Sequence, residues 1–119
     1  MKKILLVCTA LFLVACGSSQ PSLVYTHAPI LNITAELNPL IDANATAQSA
    51  WVKNKSNQNI NLQYDVFWYD KNGVTQPVSL QQEQYRANLW LAPEQKQAIN
   101  LSKPTPESVN YRLYLQLKQ

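Results

Sequence analysis

The chain is poor in the residues on which most binding motifs depend. Glycine occurs twice in 119 residues, at Gly17 and Gly73. Nucleotide-binding loops of the G-x-G-x-x-G or Walker type need several residues without a Cβ close together, so neither can be written here. His27 is the single histidine, and Cys8 and Cys16 are the two cysteines. Zinc frameworks of four cysteines, or of two cysteines and two histidines, are thereby excluded. No Asp-rich loop offers an oxygen cage for a metal, and no cofactor is expected. Charged residues make up 14% of the chain, with a formal net charge of +3. That charge is too small and too scattered to suggest a nucleic-acid partner. The length allows one domain.

What is present begins with an address. Lys2 and Lys3 precede Ile4 to Val14, an uncharged apolar run of eleven residues. At about 1.5 Å per residue such a helix cannot cross a hydrocarbon core of about 30 Å. A charged start, a short apolar run and a small residue at its end are the marks of a secretory signal peptide, here residues 1–15. The run closes in Leu13-Val14-Ala15-Cys16, which resembles the lipobox of bacterial lipoproteins. The resemblance implies cleavage before Cys16, a diacylglyceryl thioether on its sulfur and an acylated amino group. Each buried CH₂ contributes about 0.8 kcal/mol to membrane attachment, so several chains give a lasting anchor. Gly17 follows the cysteine where inner-membrane lipoproteins of this type tend to carry Asp, so the implied address is the periplasmic face of the outer membrane. Cleavage also removes Lys2, Lys3 and Cys8. Eight basic residues then face seven acidic ones, and no internal disulfide is available.

Residues 16–27 include the small polar stretch Gly17 to Ser22 and read as a flexible tether. From residue 28 to residue 119, alternation of period two dominates. Ile60, Leu62, Tyr64, Val66 and Trp68 share one face of a segment whose other face carries Asn61, Gln63, Asp65, Phe67 and Tyr69. Tyr111, Leu113, Leu115 and Leu117 alternate with Arg112, Tyr114 and Gln116, and Tyr85, Ala87, Leu89 and Leu91 with Arg86, Asn88 and Trp90. Weaker strand signals cover residues 30–37, 48–53, 74–78 and 97–101. Residues 44–50 are compatible with either a helical turn or a strand entry. Asp70-Lys71-Asn72-Gly73 carries hairpin chemistry, and Ala92-Pro93-Glu94 and Lys103-Pro104-Thr105-Pro106 stop strands. About seven short strands with frequent turns predict an all-β, antiparallel sandwich; a small barrel is the alternative.

The apolar faces are expected to be core. The opposite faces are more informative. Phe67, Tyr69, Trp90 and Tyr114 all lie opposite an apolar stripe. If they share a sheet they form an exposed aromatic patch, a candidate binding face. Catalysis has little support. The acids Glu36, Asp42, Asp65, Asp70, Glu83, Glu94 and Glu107 form no motif, and a glycosidase needs two carboxyls across a cleft. His27 lies in the tether, where a catalytic base would lack preorganised geometry.

Asn54, the block Leu62-Gln63-Tyr64-Asp65-Val66-Phe67-Trp68-Tyr69-Asp70-Lys71-Asn72-Gly73, the Leu91-Ala92-Pro93 turn and the closing Arg112-Leu113-Tyr114-Leu115 strand together resemble the YcfL-like family of small bacterial lipoproteins. The resemblance spans roughly residues 48–117. It implies an immunoglobulin-like sandwich anchored in the cell envelope, and it hints at work connected with peptidoglycan assembly. It carries over Asn54, Trp68, Tyr69, Asp70 and Gly73 as pattern positions with structural roles: Asn54 to satisfy loop backbone groups and Gly73 to supply the turn. The expectation is therefore a lipid-anchored, non-catalytic module that binds an envelope protein or a peptidoglycan-associated partner. A scaffold without a specific ligand is the alternative, and a glycan-acting enzyme a remote third.

Overall fold

A computed structural model describes residues 28–118. The expected signal peptide, the tether and Cys16 lie outside the described residues. The described chain forms strands β1 (Ile30–Ile33), β2 (Ile41–Ala45), β3 (Ala50–Asn54), β4 (Ile60–Tyr69), β5 (Thr75–Gln76), β6 (Gln84–Leu91), β7 (Lys96–Ala98) and β8 (Asn110–Leu117), with a 3₁₀ turn at Asn38–Leu40 between β1 and β2. A large sheet has the order β1-β8-β4-β5, with β6 also paired to β4, and a small sheet has the order β2-β3-β7. The two sheets close on each other as a β-sandwich, immunoglobulin-like in its layering.

The period-two pattern decides which residues lie between the sheets. Tyr64 stands opposite Leu115, Val66 opposite Leu113 and Trp68 opposite Tyr111. All six side chains are buried, and they meet Ile41, Ala50 and Val52 of the small sheet in one cluster. Trp68 and Tyr111 pack with ring centroids 5.0 Å apart at 48°. This tilted geometry suits the ring quadrupoles better than a face-to-face stack.

The structure departs from the sequence reading in several places. Residues 41–45 form a strand, giving eight strands rather than about seven. Residues 44–50 are neither a helical turn nor a simple strand entry but the β2–β3 hairpin. Its turn is held by the Thr46 hydroxyl, which accepts from Gln48 N at 3.3 Å and Ser49 N at 3.0 Å. Finally, β1 runs parallel to β8, so the large sheet is not wholly antiparallel. The first and last strands of the domain need no hairpin between them, and the parallel pairing is free of that constraint.

The β4–β5 hairpin shows why Asp70 and Gly73 stand where they do. Gly73 N donates to Asp70 O, and Gly73 sits at φ 81, in the region that side chains avoid. The Asp70 carboxylate accepts from Asn72 N at 2.8 Å and Val74 N at 2.9 Å. This is a tight hairpin loop closed by a left-handed residue, a common arrangement for three-residue loops.

Two polar side chains tie the sheets together. Asn54, at the end of β3, is fully buried. Its amide nitrogen donates to Gln58 O at 2.7 Å and to Leu91 O, at the end of β6, at 3.0 Å. Its amide oxygen accepts from Ser56 N and Ser56 Oγ. At the other end of β3, the Tyr111 hydroxyl donates to Thr46 O and lies 3.4 Å from Ser49 O.

Asn54→Ala strands the Leu91 carbonyl and two loop donors at once. We expect a loss of about 2–3 kcal/mol, read by urea denaturation with an unchanged m-value. Burial raises the phenols of Tyr64 and Tyr111 above their ordinary value of 10.0. For Tyr64, the neighbouring Tyr85 adds to the rise and a bond with the Asn100 backbone opposes it. The folded state thus holds these protons more tightly than the unfolded chain. Their stabilisation is complete below pH 10 and falls away as pH climbs through the folded-state values. Thermal melts should be insensitive to these groups up to pH 9 and drop above pH 10. Tyr111→Phe should lose about 1 kcal/mol at neutral pH and show a shallower alkaline drop.

Candidate functional site

The outward face of the large sheet is built by register. On β4 the odd-numbered residues point away from the core. Asp65 stands opposite both Arg86 on β6 and Tyr114 on β8. Phe67 stands opposite Arg112. On β1, Asn32 stands beside Tyr114 and Ile30 beside Arg112. Asn32, Asp65, Phe67, Arg86, Arg112 and Tyr114 enclose a concavity of about 370 Å³.

Its floor is an ion pair. Arg86 Nε lies 2.7 Å from Asp65 Oδ1 and Arg86 Nη2 lies 3.1 Å from Asp65 Oδ2. The Asp65 side chain is 3% exposed and that of Arg86 49%. The fork geometry matches two donors to two oxygens. Asp65 holds the Arg86 guanidinium above its ordinary range, chiefly through these hydrogen bonds and then through its charge. Beside the pair, the Arg112 guanidinium carbon sits 4.7 Å from the centre of the Phe67 ring. This stacking places the cation over the negative face of the ring.

All four rings expected on this face do project from it. They do not form one exposed patch. Trp90 stands opposite Asn61, six residues from Phe67 along β4. At about 3.4 Å per residue the two rings are some 20 Å apart. Trp90 is 62% exposed, whereas Phe67, Tyr69 and Tyr114 are only partly so. Arg112 covers one side of Phe67, and the Asp65–Arg86 pair occupies the middle of the face. The pattern positions fall elsewhere: Trp68 in the core, Asp70 and Gly73 in the hairpin loop, and Asn54 between the sheets.

Sequence reading missed the polar centre. Asp65 and Arg86 are 21 residues apart, and only the strand register brings them together. Three outward polar residues at mid-strand, Asp65, Arg86 and Arg112, were the available signal. It also missed Trp51, which lies on the outer side of the small sheet with Lys96 Nζ 4.1 Å from its ring centre. Two of the other acids form surface ion pairs. Lys55 pairs with Asp42 at 3.5 Å and Lys53 with Glu94 at 3.7 Å, both at the surface. Among the described residues no three His, Cys, Asp or Glu side chains gather as a metal site. No helix among them is long and apolar enough to cross a membrane.

Fold and face define a small two-sheet β-domain with a polar and aromatic outer surface. The family model described as "Protein of unknown function (DUF1425)" matches residues 34–117, and the chain belongs to that family. It is 51% identical over 115 residues to an "Uncharacterized protein" of Haemophilus influenzae, covering 97% of this chain and 99% of that one. Among solved structures, the crystal structure of Campylobacter jejuni cj0090 superposes with a TM-score of 0.54 at 17% identity, over 74% of this chain and 97% of that one. That likeness shows the sandwich fold. A DUF1425 family member from Shewanella sp. pv-4 superposes with a TM-score of 0.49 at 24% identity, over 66% and 74%.

The ion pair makes a direct prediction. Arg86→Ala leaves a carboxylate with almost no access to water and no partner, so it should lower the melting temperature clearly. The double change Asp65→Leu with Arg86→Leu should melt closer to the parent, because the stranded charge is gone. Thermal melts of the two variants decide this.

Proposed function

We propose that the protein is a lipid-anchored, non-catalytic lipoprotein of the bacterial outer membrane, akin to the YcfL-like group, and that it binds another envelope component through the outer face of its large sheet. The observation that carries the reading is the composition of that face. Phe67 and Tyr114 flank a buried ion pair and a stacked arginine, and Tyr69 and the exposed Trp90 lie farther along the same face. Mixed aromatic and arginine surfaces of this kind are typical of the centres of protein interfaces. The alternation of β4 and β8 is satisfied by the core on the other side, so the fold has no need of these rings.

The lipobox at Leu13 to Cys16 supports the anchoring. Thirteen residues lie between Cys16 and Ile30, fourteen steps of chain with a reach of at most about 50 Å. The chain enters the large sheet at Ile30, which is in register with Arg112. The described chain therefore begins beside the proposed face. A link to peptidoglycan assembly is part of the same proposal and rests on the family likeness.

Two measurements test it. Intact mass of the protein from the membrane fraction should show acyl groups on Cys16; a soluble product with a free thiol there overturns the anchoring. A photo-crosslinking amino acid placed at Trp90 or Tyr114 in living cells should give a discrete adduct, and one at Asp42, on the small sheet, should not. Equal adducts from both sheets, or none from the large one, overturn the face.

A further inference from the structure

The exposed aliphatic side chains are not scattered over the domain. Among the described residues seven large hydrophobics are exposed, and five of them are Ile30, Val74, Val78, Leu80 and Val109. The strand registers put all five at one end of the sandwich. Ile30 is level with Arg112, and Arg112 with Phe67. Val109 N donates to Tyr69 O, and Asp70 N donates to Val74 O. Val78 and Leu80 belong to the loop that leaves β5 after Gln76, opposite Trp68, and enters β6 at Gln84, opposite Phe67. A single exposed aliphatic needs no explanation; five at the level of residues 67–70 of β4 do. Leu80 stands out most, at 99% exposed. It sits on a hydrogen-bonded turn in which Ser79 N donates to Gln82 O and Gln82 N to Ser79 O. The fold thus holds this side chain out in water by design of the loop.

Two observations name the occupant of this end. The first is where the chain outside the described residues joins it. Ile30 lies at the same end, and thirteen residues separate it from Cys16. A lipid on Cys16 keeps Ile30 within about 50 Å of a bilayer, so weak apolar contacts there act at high effective concentration. The second is chemistry. The five side chains are aliphatic, whereas centres of protein interfaces favour aromatic residues and arginine, as on the outer face of the large sheet. Charge at this end cancels: Asp70, Glu83 and Glu107 are matched in number by Lys71, Lys103 and Arg112. An apolar end without net charge suits the acyl boundary of a bilayer and has no need of anionic headgroups. We infer that the Leu80 end of the sandwich is a membrane-contact surface, which seats the tethered domain on the phospholipid bilayer with the β4 strand upright and Trp90 far from the lipid. This rests on the reading of the protein as lipid-anchored, and adds how the anchored domain sits.

The test uses the full-length protein, purified from membranes and reconstituted in phosphatidylcholine vesicles that carry a nitroxide on the acyl chain. A thiol-reactive NBD fluorophore is placed at Gln81→Cys, beside Leu80, or at Asn57→Cys, in the β3–β4 loop at the opposite end. The Gln81 probe should be quenched about fivefold more strongly than the Asn57 probe and emit at shorter wavelength. Adding Leu80→Asp should bring the Gln81 probe down to the Asn57 level, with the melting temperature unchanged because Leu80 packs against nothing. Raising the salt to about 0.5 M should leave the quenching as it was. Equal quenching at the two ends, no quenching at either, quenching indifferent to Leu80→Asp, or quenching lost in salt each overturn the inference. Flotation and intact mass separate this result from the anchoring. Protein that floats with the vesicles, with one fluorophore per chain and no quenching at Gln81, leaves the anchor standing and refutes the seating. Protein that stays behind, with a second fluorophore on Cys16, overturns the anchoring and the seating with it.

Discussion

The buried carboxamide of Asn54 is the interaction on which the geometry of the sandwich turns. An amide in a core is costly unless every lone pair and hydrogen is used. Here all are used within one loop and one strand end: two donations, to Gln58 O and Leu91 O, and two acceptances, from Ser56 N and Oγ. Its backbone joins in, with Asn54 N donating to Gln95 O and Glu94 N donating to Asn54 O. That second pair holds the turn in which Glu94 takes a left-handed φ of 66, a strained conformation for a side chain of its kind. One residue thus ends β3, closes the loop to β4, and fastens both to the end of β6. Apolar contact alone is non-directional and would let the sheets slide. The Asn54 bonds do not.

Tyr111 completes the constraint. Its ring packs on Trp68 inside, while its hydroxyl reaches the β2–β3 turn at Thr46 O. The five residues of β3 are therefore tied to the large sheet at both ends, to β8 at the start and to β6 at the finish. The inner face of the large sheet is left with no freedom of register. Since a shift of one residue would turn every side chain over, the outer face is specified by the same ties. Asp65 meets Arg86, and Phe67 meets Arg112, because Val66 and Trp68 are locked in the core between them.

This chain of consequence also explains what could be read in advance. The uninterrupted alternation from Ile60 to Trp68 and from Tyr111 to Leu117 predicts strands and their buried sides, and Asp70 to Gly73 predicts the hairpin. These are local signals. The strand Ile41–Ala45 escaped because Asp42, Ala43, Asn44 and Ala45 alternate between small and polar residues without a bulky inward side chain. Its partner Val52 and the Thr46 turn make it a strand, and both act through pairing rather than propensity. Strand assignments at 30–37 and 74–78 ran too long for the same reason: the ladder to β8 stops at Ile33 and that to β4 at Gln76. The candidate site was legible only as a face. Its rings were recognisable from alternation, but their separation, and the arginines between them, depend on register across strands up to 49 residues apart in sequence (Asp65 and Tyr114).

The same logic sets what the outer face can tolerate. Its centre is nearly dry, since Asp65 is buried on a side of the sheet that otherwise meets water. The carboxylate is shielded by the very groups that line the concavity, so charge on this surface is fixed rather than fluid. Arg86 neutralises Asp65, and Phe67 orients Arg112 without neutralising it. Arg86 is paired with Asp65, while the Arg112 Nε has no hydrogen-bond partner among the described residues. Elsewhere the domain meets water with uncharged asparagine and glutamine, and with exposed pairs such as Lys55–Asp42 that contribute little. The concentration of ordered charge at one place on an otherwise neutral surface is what separates this face from the rest of the sandwich.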